Sequence, residues 1–188
     1  MAISINEIAS GIGLKINGDI WVVQEYQHVK PGKGSAFVRV KIRSIKTDQV
    51  LERTYRSAET LEDVELDERR LQNMYTADDL VYFMDHTTFE QMPVTKELIG
   101  DGIRFLQENL EVTALCHEHR ILKIILPNFI ITQISESEPG IKGDSSRSGT
   151  KPATIDTGAI IQVPLFINTG DWIKLDTRSG TYVERVQK

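Results

Sequence analysis

The sequence predicts an all-β protein built from small barrels, and three observations carry that prediction. Eleven stretches are rich in β-branched and aromatic residues and are separated at short spacing by Gly, Pro, Asn and Asp. The run Ala36-Phe37-Val38-Arg39-Val40-Lys41-Ile42-Arg43 alternates apolar and basic side chains with period two. Only 102–110 offers a helical pattern, with Ile103, Leu106 and Leu110 on one face.

In chain order, strands are expected at 12–16, 20–24, 36–45 and 49–55, then 81–84, 111–116 and 121–125, then 129–135, 159–166, 172–175 and 182–186. The aromatic and β-branched character of the second run continues through Val29, so it forms a β-hairpin with 36–45 around a short glycine-containing loop. A chain of 188 residues exceeds one usual core. Three units of roughly 60 residues each lie near the lower limit for independent folding. Boundaries are expected near 61–65, where strand pattern yields to an acidic segment, and at Pro127-Asn128, giving domains 1–64, 65–127 and 128–188.

Charge is unevenly spread. The whole chain has 22 Lys plus Arg against 27 Asp plus Glu. Nine basic and eight acidic groups fall in 1–64, six and twelve in 65–127, and seven and seven in 128–188, giving +1, −6 and 0. Within 28–56, however, Lys30, Lys33, Arg39, Lys41, Arg43, Lys46, Arg53 and Arg56 face only Asp48 and Glu52. A basic face on an otherwise acidic protein suits a finger that reaches phosphate while the middle stays off nucleic acid or faces basic protein. A merely solvated strand face is the competing reading.

The hairpin tip, Lys30-Pro31-Gly32-Lys33-Gly34, is the most informative element. Pro31 fixes its own φ, Gly32 and Gly34 permit unusual ones, and Lys33 is left on a long stem with no bulky neighbour. A second long polar stretch runs from Glu138 through Gly143, Asp144, Ser145, Ser146, Arg147, Ser148, Gly149 and Lys151 to Thr154. Its length and donor-rich composition suit contact with RNA backbone and exposed bases better than small-molecule catalysis.

Other constellations predict no chemistry. His117-Glu118-His119 lacks a third ligand and reads as a polar turn, so no metal is expected. Asp78-Asp79 and Glu136/Glu138 show no paired nucleophile or base. Gly140-Ile141-Lys142-Gly143 lacks the spacing of a phosphate-binding loop, and no cofactor is expected. Cys116, the only cysteine, reads as a buried strand thiol. The start of the chain has no basic-then-apolar signal, and 121–132 is interrupted by Lys123, Pro127 and Asn128, so a soluble, cytoplasmic protein away from membranes is expected.

The tip Lys30-Pro31-Gly32-Lys33-Gly34 with 36–41, the Gly140-Ile141-Lys142-Gly143-Asp144 loop, Lys151-Pro152-Ala153-Thr154 and the closing Asp176-Thr177-Arg178-Ser179-Gly180-Thr181-Tyr182 resemble the bacterial elongation factor P family. That resemblance spans essentially the whole chain. It implies a KOW/SH3-like barrel followed by two OB-fold barrels in an L-shaped, tRNA-like arrangement. It implies a non-enzymatic, monomeric factor that binds the ribosome between the peptidyl and exit sites and stimulates peptide-bond formation at polyproline stalls by positioning peptidyl-tRNA. Partners implied are ribosomal RNA and proteins, peptidyl-tRNA and a lysine-modifying enzyme acting on Lys33. Ribosome and tRNA contacts would come from Lys30, Pro31, Gly32, Lys33, Gly34, Arg39 and Lys41, and from Gly143 through Gly149. A paralogue of the family and a general OB-fold RNA-binding protein are the alternatives.

Overall fold

The computed structural model describes residues 2–32, 34–56, 58–138 and 149–187. The chain divides into two compact units, Met1–Arg69 with Ala114–Lys123, and Arg70–Thr113 with Ile124–Lys188. Strands dominate both.

The first unit contains β1 (Ala2–Ser4), a 3-10 turn (Ile5–Glu7), β2 (Gly13–Ile16), β3 (Asp19–Val29), β4 (Phe37–Ser44), β5 (Val50–Arg56) and β6 (Thr60–Val64), in the sheet order β1-β6-β2-β3-β4-β5. β4 shows why this sequence makes a curled, one-sided sheet. Val38, Val40, Ile42 and Ser44 are buried, while Arg39 and Arg43 on the alternate positions are exposed. The inward residues join Ile5, Ile8, Leu14, Trp21, Val23 and Tyr55 in one core. Gly13 is required by close approach, because a Cβ there would lie 2.6 Å from the Val64 carbonyl oxygen.

The middle sheet is formed by β7 (Asp67–Ala77), β8 (Leu80–Asp85), β9 (Gln91–Thr95), β10 (Glu111–His117) and β11 (Arg120–Ile125), in the order β11-β10-β7-β8-β9. Leu71, Val81 and Phe83 are fully buried in it. The tip of the β10–β11 hairpin is the polar turn expected from the sequence, with Glu118 and His119 at φ 46° and 66°. His117 Nδ1 lies 2.9 Å from the Glu65 carbonyl oxygen, and Lys123 pairs with Asp48 within the same unit. Cys116 is buried on β10, as predicted.

In the second unit β12 (Phe129–Ser137), β13 (Thr150–Ile155), β14 (Ile160–Pro164), β15 (Trp172–Asp176) and β16 (Thr181–Val186) form a sheet of order β14-β13-β12-β15-β16. Its core gathers Ile130, Ile134, Ala153, Ile155, Ile161, Val163, Ile167, Ile173 and Leu175. That strand order, with β14 returning against β16, is the Greek-key path of a small OB barrel.

Two expectations are corrected. The helix expected at 102–110 is instead α1 (Lys96–Ile99) followed by a 3-10 segment (Gly100–Phe105). Leu106 leaves the helix at φ −81°, ψ 95°, and Asn109 turns at φ 60°. Asn73 on β7 is the physical reason. Its N–H donates to the Leu110 carbonyl at 2.9 Å, its carbonyl accepts from the Asn109 N–H at 2.8 Å, and its side-chain amide donates to the Gln107 carbonyl at 2.8 Å. A helix over 102–110 would have bonded the Asn109 N–H internally, whereas here it goes to Asn73, and the Gln107 and Leu110 carbonyls, free at the end of such a helix, are fixed where β7 sets them. The second correction concerns the polar stretch beginning at Glu138, whose final part, Thr150–Ile155, is strand β13 and not loop. Lys151 occupies an inward position there and is only 6% exposed, which hides the alternation.

The β8–β9 turn is held tightly. Asp85 Oδ1 accepts from the N–H groups of Thr87 and Thr88 at 2.7 and 3.2 Å, and its carbonyl accepts from the Phe89 N–H at 2.9 Å. Phe89 thereby adopts φ 59°. A left-handed conformation costs a phenylalanine about 1–2 kcal/mol relative to the right-handed region. Among the described residues no helix is long and apolar enough to cross a membrane.

Phe105 ends the 3-10 segment yet belongs to the core of the β12–β16 barrel, and it is fully buried. Phe105→Ala is expected to destabilise the second unit by about 3–5 kcal/mol in chemical denaturation. A change below about 1 kcal/mol would mean that this ring does not support the barrel.

Candidate nucleic-acid interface

β3 and β4 pair antiparallel up to Val29 opposite Phe37, so residues 30–36 form the connection. Lys30, Pro31, Gly32, Gly34 and Ser35 are all exposed. Gly34 sits at φ +116°, a region that L side chains rarely adopt, and a Cβ on Gly32 would meet open space. Lys33 lies outside the described residues. The described part of the tip is an open glycine turn joining β3 to β4 at the end of an arm, with β5 paired alongside β4 as far as Phe37.

Below the tip, Arg39 and Lys41 stand on the outer face of β4 as predicted, but both have partners. Arg39 Nε lies 3.2 Å from Glu52 on β5, and Lys41 Nζ lies 3.3 Å from Glu25 on β3. Glu25 is the side chain that charge counting over 28–56 missed, because β3 starts well before the basic segment and pairs Glu25 directly opposite Lys41. Each pair is about half exposed, and such surface pairs contribute about 0–1 kcal/mol and weaken with salt. A phosphate can therefore replace either carboxylate at small cost. Arg56 stands opposite Phe37 and next to the tip, and Arg43 is exposed at the far end.

The other face of the arm carries two residues that sequence reasoning did not single out. Tyr26 and His28 pair opposite Val40 and Val38, and their rings meet edge to face at 5.6 Å. Tyr26 is 44% exposed. The signal was present as aromatic enrichment in 21–29, but the bulge between Val23 and Glu25 resets the register there and obscures which face those rings occupy. Tyr55, on β5, has its hydroxyl pKa pushed up by burial, against the opposing pull of Arg53.

The second predicted region, Gly143 to Gly149, is represented by Gly149 alone, which is exposed at the start of β13. Gly143, Asp144, Ser145, Ser146, Arg147 and Ser148 lie outside the described residues. The base of that stretch is held by Lys151, whose Nζ donates to the Glu138 carbonyl.

The closing motif forms a local clasp. The Arg178 guanidinium donates to both Asp176 oxygens, at 3.0 and 2.6 Å, and its backbone N–H donates to Oδ1 at 2.9 Å. Arg178 and Lys174 also lie over the ring of Phe129, at 5.7 and 5.1 Å from its centre. No group of three or more His, Cys, Asp or Glu residues that could hold a metal occurs among the described residues.

Three family models match successive parts of the chain: "Elongation factor P (EF-P) KOW-like domain" over residues 4–61, "Elongation factor P (EF-P) OB domain" over 66–124, and "Elongation factor P, C-terminal" over 130–185. The chain is 45% identical over 183 residues to the elongation factor P of Moorella thermoacetica, covering 97% of this chain and 99% of that one. It is 45% identical over 185 residues to the elongation factor P of Natranaerobius thermophilus, covering 98% of each. Among solved structures, a translation initiation factor 5A family protein from Naegleria fowleri aligns with a TM-score of 0.52 at 13% identity, covering 67% of this chain and 98% of that one. The initiation factor 5A from Methanococcus jannaschii aligns with a TM-score of 0.50 at 24% identity, covering 66% and 94%. At those identities the two structures speak for the fold.

The clasp generates a pH prediction. Hydrogen bonding from Arg178 lowers the Asp176 pKa from 3.8 to about 2. A depressed carboxyl favours the folded state above its unfolded value, and that contribution is lost as pH falls through about 2. An NMR titration of the Asp176 carboxyl carbon should therefore have its midpoint near 2. In Arg178→Ala it should return toward the ordinary value, and an unchanged midpoint would rule out the clasp as its cause.

Proposed function

The chain belongs to the elongation factor P family, and on that premise we propose that it is a translation elongation factor that binds the ribosome between the peptidyl and exit sites and stimulates peptide-bond formation at polyproline stalls by positioning peptidyl-tRNA. The observation that supports the reading is the β3–β4 hairpin, whose described connecting residues Lys30, Pro31, Gly32, Gly34 and Ser35 are all exposed, with Gly34 at φ +116°.

Proline restricts φ, and its ring nitrogen is a constrained nucleophile, so a Pro-Pro junction can keep the reacting amine and ester out of attack geometry. Holding the end of peptidyl-tRNA in register recovers rate through orientation, without a proton transfer or covalent step by the factor. A lysine at the tip, lengthened by a β-lysyl group that a modifying enzyme attaches to its ε-amine, would bond to the sugar-phosphate backbone beside the terminal adenosines. Arg39, Lys41, Lys30 and Arg56 would follow the adjoining phosphates, and 143–149 would approach RNA with the small subunit. In this reading the protein acts as a cytoplasmic monomer of three domains, 1–64, 65–127 and 128–188, with no cofactor.

The test is the time course of tripeptide formation across a Pro-Pro junction on purified ribosomes. The protein isolated from its own cells should accelerate the step, and Lys33→Ala should lose that acceleration while keeping its fold. Equal, negligible rates with both would point to a paralogue or a general RNA-binding protein. A second measurement addresses the arm. Glu25→Gln with Glu52→Gln is expected to strengthen salt-sensitive binding to single-stranded RNA, and Arg39→Ala to reduce the salt slope by about one counterion. Unchanged slopes would remove the outer face of β4 from the interface.

A further inference from the structure

The outer face of the β7–β8–β9 sheet has no part in the role just proposed, yet it carries an unusual set of side chains. Tyr75 on β7 stacks on Tyr82 of β8, with ring centres 4.7 Å apart and planes within 16°. Pro93 of β9 stands opposite Tyr82 on the other side, so three strands contribute a continuous row. Tyr75 is 46% exposed and Pro93 is exposed as well. The flanking rows supply half-buried Met84 and Leu80.

Phe89 is the second, independent observation. It sits on the turn that joins β8 to β9, is 71% exposed, and is held at φ 59° by the bonds around Asp85. Glycine or asparagine would occupy that position without strain, and a ring so exposed recovers little by burial in the chain itself. A strained, exposed aromatic on the turn that closes the same sheet as a stacked tyrosine pair has the composition of an interface anchor.

Charge decides between partners. Residues 71–113 hold eight carboxylates against Lys96 and Arg104. Asp78 and Asp79 form the β7–β8 turn, Glu90 follows Phe89, and Glu97 follows β9, so the aromatic row is fringed by acids. Phosphate would be repelled along that fringe, whereas arginine and lysine side chains pair with the carboxylates and lie favourably over tyrosine faces.

We infer that this face docks a positively charged protein segment, with Phe89 as an anchor and Tyr75 and Tyr82 as a platform for its cationic side chains. The inference rests on the ribosome-binding reading, and its partner is a basic protein of the ribosome rather than ribosomal RNA.

A photoreactive benzoylphenylalanine placed at position 89 of the full chain, and separately at position 37 beside the finger tip, distinguishes the two. With stalled ribosomes, position 37 is expected to cross-link RNA and position 89 a basic ribosomal protein. Cross-linking of RNA from position 89 would overturn the inference. Cross-linking from 37 with none from 89 would overturn it while leaving the ribosome reading intact, and silence from both would remove the two together. Phe89→Gly provides a variant that relieves the left-handed strain, so its thermal midpoint should equal or exceed that of the parent. Its affinity for stalled ribosomes should nevertheless fall by about tenfold or more. An unchanged affinity in that folded variant would overturn the anchor role.

Discussion

Everything about the arm depends on β4 lying antiparallel between β3 and β5 with an unbroken period of two. From Phe37 to Arg43 its pairing with β5 is continuous, and the one register shift in the neighbourhood falls on the β3 side, between Val23 and Glu25. A slip of one residue would place Arg39, Lys41 and Arg43 in the core and Val38, Val40 and Ile42 in water. Each of those three buried side chains is worth about 1.5–3 kcal/mol of burial, so the register is strongly enforced. The same constraint that packs the barrel therefore fixes which way the cations face and where the turn begins.

The middle of the chain shows the opposite relation, in which tertiary bonds overrule a local pattern. Ile103, Leu106 and Leu110 have helical spacing, yet Asn73 captures the backbone of 107–110 and Phe105 is drawn into the β12–β16 barrel. Gln107 then donates from its side chain both to the Ile131 carbonyl and to Asp156, while the Thr157 hydroxyl donates to the Arg104 carbonyl. The segment after α1 is thus a connector held by side-chain amides and a buried ring, for which helical propensity is too weak a term to compete.

What the sequence made legible follows from these two cases. The strand class, the β3–β4 hairpin and the outward placement of Arg39 and Lys41 rest on alternation, which survives translation into structure. β7 was hidden because it opens with Asp67-Glu68-Arg69-Arg70, and β13 because a lysine takes an inward position and a proline an outward one. The partners of Arg39 and Lys41 could not be read locally, since Glu25 reaches its cation only through pairing across strands 16 residues apart. Phe89 carries no sequence signal of its own, because nothing in its neighbours reveals a left-handed φ until the bonds of Asp85 are placed.

Those cross-strand carboxylates bear on how a basic finger in an acidic protein could select its site. Binding that relied on bulk charge would draw the finger to any RNA, with an affinity set by the number of phosphates neutralised and by salt. Glu25 and Glu52 lower the field around Lys41 and Arg39, and the carboxylates of the middle sheet oppose long-range attraction to a polyanion. Each surface pair contributes so little that a well-placed phosphate displaces it, whereas a badly placed one gains almost nothing. In the proposed role, recognition is thereby shifted from total charge to geometry: the arm binds where backbone phosphates, the tip and the docking faces all fit at once, and it is only weakly held elsewhere.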